Sequence, residues 1–247
     1  MSDRSPDLGI AIELANAAGV IVRGHFRRLE LVERKGPGDV VTEVDFLAEA
    51  LILDGIRARF PSDRIVAEES GNHPSRFAPG DPAHGERTWF VDPLDGTVNY
   101  AHGIPFFSVS IGLVVDGRPA LGVVLDPIAN ELFTAVADGP AELNGQPICA
   151  STDILPADLL VSSDEAPRGR LLGSAALELC YVAAARLDAF SQEGHLSNWD
   201  VAAAGLIAER AGASLASVPD GPWFELDRAP GSFGLIAASP AYRQRDA

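Results

Sequence analysis

The stretch Trp89-Phe-Val-Asp92-Pro93-Leu94-Asp95-Gly96-Thr97-Val-Asn-Tyr100 holds the residues most able to do chemistry. Two carboxylates stand three residues apart, with a proline after the first and Gly-Thr after the second. Like charges so close repel, and a divalent cation is the usual means of offsetting that repulsion. A strand delivers Asp92, and Pro93 fixes φ and bends the chain. The bend can aim the Leu94 carbonyl and the Asp95 carboxylate at the point Asp92 faces. Hard oxygen donors in that arrangement suit Mg²⁺. Gly96 permits close backbone approach to a ligand, and Thr97 adds a hydroxyl and an N–H. A helix starting here would offer its first N–H groups to an anion. Read alone, the stretch fits a tight turn equally well, because Asp, Pro and Gly all favour turns.

Other acids lie where they could join it: Asp45 in an early helical stretch, Glu68 and Glu69 after a short strand, and Asp200 at the start of a late helix. Each has a plain reading of its own, Glu-Glu as a solvated face and Asp200 as a helix cap. The combination favours a shared site.

The elements that must position these residues follow from periodicity and punctuation. Residues 8–29 show helical spacing from Leu8 to Leu29. Lys-Gly-Pro-Gly-Asp (35–39) breaks that helix. A second helix follows, with Thr42 as N-cap and Phe46, Ala50, Leu53 and Ile56 on one face. Arg64–Ser70 reads as a strand running into acids, and 72–87 as a surface loop rich in Pro, Gly and His. From residue 106 to 139, strand-like runs alternate with turns at Asp116-Gly117, Asp126-Pro127 and Asp138-Gly139, an antiparallel meander. Ala141–Ile148 reads as another hairpin. Beyond 155 come a strand (158–163), a buried helix (174–190), a second helix (199–213) and two closing strands. The whole suggests an N-terminal α+β half and a C-terminal α/β half around a shared core, joined near 145–157.

Composition bounds the function. The 247 residues carry a formal net charge of −16, which argues against nucleic acid as a partner. There is no run of eighteen apolar residues and no basic, apolar start of a secretory type, so a cytoplasmic protein with no membrane partner is expected. Cys149 and Cys180 sit in apolar surroundings and are expected as two buried thiols rather than a disulfide. Lys35 is the only lysine.

The stretches Lys35–Asp45, Ala67–Ser70, Trp89–Tyr100, Gly173–Phe190 and Trp199–Ala213 together resemble the inositol monophosphatase family, within the Mg²⁺-dependent, Li⁺-sensitive sugar-phosphate phosphatases. They occur in the family's order across nearly the whole chain. The resemblance implies a layered αβαβα sandwich of the inositol monophosphatase and fructose-1,6-bisphosphatase type, a single phosphatase domain (1–147 and a shortened 148–247) and a homodimer. It implies two or three Mg²⁺ ions, with Li⁺ inhibitory. Glu68, Asp92 and the Leu94 carbonyl would hold one ion, and Asp92, Asp95 and Asp200 a second. Glu69 would hold a water or third ion. Asp45 and Thr97 would activate the attacking water. The N–H groups of Gly96 and Thr97 would bind phosphate, and Lys35 would lie close by. Glu193 would bind substrate hydroxyls, Ala175 would line the pocket, and His195 reads as a surface residue.

The implied activity is hydrolysis of a small polyol or sugar monophosphate without a covalent intermediate, inositol-1-phosphate first. Histidinol phosphate or an aminocyclitol phosphate stays open, because the 191–198 stretch departs from the family pattern. The nine residues 164–172 are fewer than the family usually has there, so a helix and neighbouring chain are expected to be missing. A non-catalytic regulatory protein retaining the fold is the rival reading. Aspartyl-phosphate phosphatases, whose two aspartates stand two apart, fit less well.

Overall fold

The computed structural model describes residues 6–28, 32–36, 39–73, 86–153, 158–163 and 169–243. The chain opens with α1 (Pro6–His25), the hairpin strands β1 (Val32–Gly36) and β2 (Asp39–Thr42), and α2 (Glu43–Arg59). There follow β3 (Arg64–Ala67), β4 (Gly71–His73), β5 (Arg87–Asp95), the single turn α3 (Thr97–Ala101), β6 (Ser108–Val115), β7 (Arg118–Asp126) and β8 (Glu131–Val136). A short hairpin of β9 (Glu142–Leu143) and β10 (Gln146–Pro147) closes this half. The rest comprises β11 (Val161–Ser162), α4 (Ala175–Ala183), β12 (Ala189–Leu196), α5 (Asn198–Arg210), β13 (Ser214–Val218), β14 (Phe233–Ala238) and α6 (Pro240–Arg243).

Eight strands form one sheet in the order β10-β9-β8-β7-β6-β5-β3-β4, and four form a second in the order β11-β12-β14-β13. The expected meander is β6-β7-β8, antiparallel throughout. Helices α1 and α2 pack on one face of the large sheet, and α4 and α5 fill the space between the sheets. Among the described residues the last helix, α6, is a single turn that packs on β14. Among the described residues no helix lies between β11 and α4, although 164–168 lie outside them.

Alternation along β5 builds both cores. Trp89 and Val91 join the cluster under α1 and α2, while Phe90 joins the cluster of α4 and α5. The close seat of α5 depends on two glycines paired across β6 and β7, Gly112 and Gly122. A Cβ at Gly122 would stand 2.5 Å from the Ala203 carbonyl oxygen, and one at Gly112 would stand 3.0 Å from Ala202 Cβ. The run Val201-Ala202-Ala203-Ala204-Gly205 supplies the matching small surface.

Several expectations need correction. The first helix ends at His25, and within the Lys35–Asp39 stretch that was read as a breaker, Gly36 of β1 pairs with Asp39 of β2. The buried face of α2 is set by Asp45, Glu49, Ile52 and Ile56; Phe46 is half exposed and Ala50 exposed, because the helix turns its two acids inward. The helix expected to reach residue 190 stops at Ala183, and Ala185 has φ 56°. The chain then enters β12, a strand the sequence did not reveal. Cys180 is buried, but Cys149 is exposed; both are free. Most of the loop expected at 72–87 falls outside the described residues, though Gly71–His73 form β4.

Candidate active site

A bulge explains how carboxylates three residues apart reach one place. In β5, Asp92 pairs with Ser110 and Asp95 with Ser108, so β5 spends one residue more than β6 between these pairs. Ser110 and Ser108 are two apart and face the same side of the sheet. The extra residue, beside Pro93, therefore puts Asp92 and Asp95 on that side together. The Leu94 N–H closes the bend on Asp92 Oδ1 at 3.0 Å. Gly96 follows with φ 97°, and a Cβ there would stand 3.1 Å from two carbonyl oxygens, so the turn into α3 needs glycine.

Asp95 is held hard from α4. Its Oδ2 accepts from the Ser174 hydroxyl at 2.5 Å and the Ala176 N–H at 2.8 Å. Asp200 is not the N-cap of α5, which is Ser197, but stands three residues on and closes the capping box, its Oδ2 accepting from the Ser197 N–H at 2.6 Å. Asp45 follows the same plan at the start of α2, where Oδ2 accepts from the Thr42 N–H at 2.9 Å and the Thr42 hydroxyl at 2.5 Å. Asp45 Oδ1 faces Thr97 Oγ1 at 3.1 Å, and the same hydroxyl lies 2.9 Å from the Leu94 carbonyl oxygen. One hydroxyl proton can serve only one of these acceptors at a time.

Burial, and then the facing charges of Glu68, Asp95 and Asp200, push the Asp92 carboxyl well above the usual carboxylate range. Burial and the charge of Asp95 do the same to Asp200, with the Ser197 N–H opposing them. Asp95 is raised by burial against the opposing pull of Ser174 and the nearby N–H groups. Burial also raises Asp45, and its bonds from Thr42 and Thr97 hold it back. The structure thus brings Glu68, Asp92, Asp95 and Asp200 together, with Asp45 and Thr97 beside them.

Among the described residues no Arg or His forms an ion pair with Asp92, Asp95 or Asp200. No three acids or imidazoles among them are drawn round one point as a ready-made cage. The carboxylates instead pair with one another, Asp92 with Glu68 and with Asp200. Asp92, Asp95 and Asp200, all raised, form with Glu68 a set of oxygen donors that a hard divalent cation would relieve of its repulsion. The residues present fit that group.

A cavity of about 620 Å³ opens beside Asp95 and Asp200. Ala175, Glu193 and His195 line it, and His195 is exposed, in keeping with its reading as a surface residue. Lys35 lies on β1, apart from these residues in sequence, and its side chain lies outside the described ones.

Three supporting residues escaped sequence reasoning. Glu49, buried on α2, accepts the Glu69 N–H at 2.9 Å and so ties down the turn carrying Glu68 and Glu69. Ser174 holds Asp95. Glu178 accepts the N–H groups of Leu172 and Gly173 at 2.6 and 2.8 Å and the Ser162 hydroxyl at 2.6 Å, fixing the cavity's edge. A signal existed for two of them: Glu49 stands one helical turn after Asp45, and Glu178 is the one acid in an apolar helix.

Comparison with known proteins agrees with this geometry. A family model described as the inositol monophosphatase family matches residues 3–166 and 154–246. Inositol monophosphatase 2 of Solanum lycopersicum is 40% identical over 244 residues, covering 88% of this chain and 89% of that protein. The Nus factor SuhB of Pasteurella multocida is 37% identical over 259 residues, covering 96% and 92%. The solved IMPase of Thermotoga maritima superposes with a TM-score of 0.83 at 32% identity, covering 98% and 95%.

Proposed function

Because this chain belongs to the inositol monophosphatase family and is a phosphomonoester hydrolase, we propose that it releases phosphate from a small polyol or sugar monophosphate, inositol-1-phosphate first, with Mg²⁺ as its cofactor. The observation that carries this reading is the group of raised carboxylates Asp92, Asp95 and Asp200, of which Asp95 and Asp200 line a 620 Å³ cavity, together with the Thr97–Asp45 pair.

Glu68, Asp92 and the Leu94 carbonyl would hold one ion, Asp92, Asp95 and Asp200 a second, and Glu69 a water or third ion. Bound divalent cations neutralise phosphoryl oxygens, lower the pKa of a bound water and stabilise the departing alkoxide. The chain's own residues do the rest. Thr97 Oγ1 takes a proton from the attacking water as its own passes to Asp45 Oδ1, 3.1 Å away. Burial raises the Asp45 carboxylate and makes it a stronger acceptor once ionised. The Gly96 and Thr97 N–H groups orient the phosphate, and Glu193 and Ala175 meet the leaving alcohol. No nucleophilic side chain is required. Burial pushes the Cys180 thiol well above its usual range, which keeps it protonated and inert.

Two features keep other readings within the same test. The carboxylate of Glu193 on the cavity wall would also suit an amine, as in histidinol phosphate or an aminocyclitol phosphate. The relatives named Nus factor SuhB keep the regulatory reading in view. The net charge of −16 supports a protein without a nucleic-acid partner. Among the described residues no helix is long and apolar enough to cross a membrane. A cytoplasmic homodimer completes the proposal.

The test is phosphate release from inositol-1-phosphate, fructose-1,6-bisphosphate, histidinol phosphate and adenosine 3′,5′-bisphosphate, each with Mg²⁺, with EDTA, and with Mg²⁺ plus Li⁺. Release that requires Mg²⁺ and falls by roughly a thousandfold or more in Asp92→Asn is the expected result. Folded protein that binds Mg²⁺ yet releases phosphate from none of the four favours the regulatory reading.

A further inference from the structure

The wall of the cavity contains an irregularity with no role in holding the carboxylates. In β12, Gln192 pairs with Leu235 and Leu196 with Phe233, so the three residues Glu193, Gly194 and His195 stand opposite Gly234 alone. The bulge is fixed from behind. A Cβ on Gly234 would lie 2.2 Å from the Gln192 carbonyl oxygen and 2.4 Å from the Glu193 carbonyl carbon. It is also closed on itself, because the Gln192 amide donates to the Gly194 carbonyl at 2.8 Å.

Within this bulge His195 has φ 67°, a conformation that disfavours L side chains and suits glycine. Gly194, the residue before it, does not take that conformation. The left-handed turn thus falls on a residue with a side chain, and that residue lines the cavity together with Glu193. Bulges beside sites commonly re-aim a side chain, and backbone strain held by its surroundings is a reason to look for function.

We propose that His195 is a specificity-determining residue that contacts the leaving alcohol: its imidazole hydrogen-bonds a ring hydroxyl alongside Glu193, selecting cyclic polyol phosphates over short open-chain ones. The proposal rests on the phosphatase reading above and narrows its substrate class. A carboxylate accepts only, whereas a neutral imidazole offers one N–H and one acceptor nitrogen. The two side chains therefore complement adjacent hydroxyls, each of which can donate and accept. The phosphate end needs neither residue, since Asp95, Asp200 and the Gly96–Thr97 turn serve it. A short alcohol such as glycerol lacks the ring that carries hydroxyls across the cavity to its wall.

The test compares His195→Gly with wild type on inositol-1-phosphate and on glycerol-2-phosphate, in Mg²⁺, with the melting temperature of each protein recorded. Glycine accepts the backbone at φ 67°, so the variant should melt at the same or a higher temperature. For inositol-1-phosphate KM should rise roughly three- to tenfold, the loss of one hydrogen bond, with kcat little changed. Both constants for glycerol-2-phosphate should stay as they were. Equal losses on the two substrates, or no change on either, would overturn the inference. Wild-type protein that hydrolyses glycerol-2-phosphate but no cyclic substrate would overturn it while leaving the phosphatase reading intact. Wild-type protein that hydrolyses neither, and releases phosphate from none of the other three substrates named above, would overturn both.

Discussion

Glu49 touches none of the groups proposed to react, yet it decides where Glu69 stands. Its carboxylate takes the Glu69 N–H at 2.9 Å from within the α2 interface, so the turn bearing both glutamates is hung from a helix. Glu49→Ala should weaken Mg²⁺ affinity by about tenfold or more without removing a proposed ligand, as loss of an outer-shell partner does. Isothermal titration reads this directly. Glu49→Gln retains an oxygen acceptor and should restore most of the affinity; equal affinities in all three proteins would remove Glu49 from the site. At this scale the sequence was informative wherever a residue's type and its neighbours pointed the same way. Asp92 and Asp95 stood out because proline and glycine flank them, and Asp45 and Asp200 because one lies in an early helical stretch and the other opens a late helix. Glu49 did not stand out, because a lone acid in a helix is most often solvated, and only the packed structure turns it inward.

At the scale of elements, two bulges and one helix seat build the site. The bulge in β5 sets Asp92 and Asp95 side by side, and the bulge in β12 shapes the opposite wall. Helix α5 carries Asp200 to them by lying directly on Gly112 and Gly122. Gly122→Ala would force a methyl group against the Ala203 backbone, 2.5 Å from its carbonyl oxygen. Overpacking against backbone should cost about 1–3 kcal/mol or more. Phosphate release should fall with the melting temperature, although every proposed ligand is still present. Unchanged stability and rate would show that α5 does not need this seat. The strands of the large sheet, β4 apart, were legible from strand-like runs punctuated by Asp-Gly and Asp-Pro turns. The hairpin of β1 and β2 was not, because Gly-Pro-Gly reads as an interruption whichever structures flank it. Strand β12 was hidden twice: Ala183-Ala184-Ala185 extends the helical pattern of α4, and Ser191-Gln192-Glu193 looks like a loop. What decides between them is pairing with β14, a contact distant in sequence.

The whole molecule carries a net charge of −16 and places several of its acids where water does not reach. That combination gives the metal-free protein a pH dependence of definite sign. Asp92, Asp95, Asp200 and Asp45 all have folded values raised from the usual 3.8, chiefly by burial. Above 3.8 the folded chain therefore holds more protons than the unfolded one, and stability falls as pH rises through the raised values. In EDTA the melting temperature should drop between pH 5 and pH 8 (the test range, of the order of the physiological window). Added Mg²⁺ should restore it, most strongly at the upper end, because a cation favours the ionised carboxylates. A melting temperature that climbs with pH in EDTA would contradict the electrostatics described above.

The division of the proposed ligands between the large sheet and helix α5 also bears on how the protein is made. Glu68, Asp92 and Asp95 belong to the large sheet, which is complete once the hairpin of β9 and β10 has formed. Asp200 arrives only with α5, after β11, α4 and β12. Until then the face bearing Gly112 and Gly122 is bare and the acids lack their fourth member. A ribosome-bound chain stopped short of α5 would thus be a nearly finished sheet without an assembled metal site. On the proposed ligand set, such an unfinished chain should be inactive rather than weakly active.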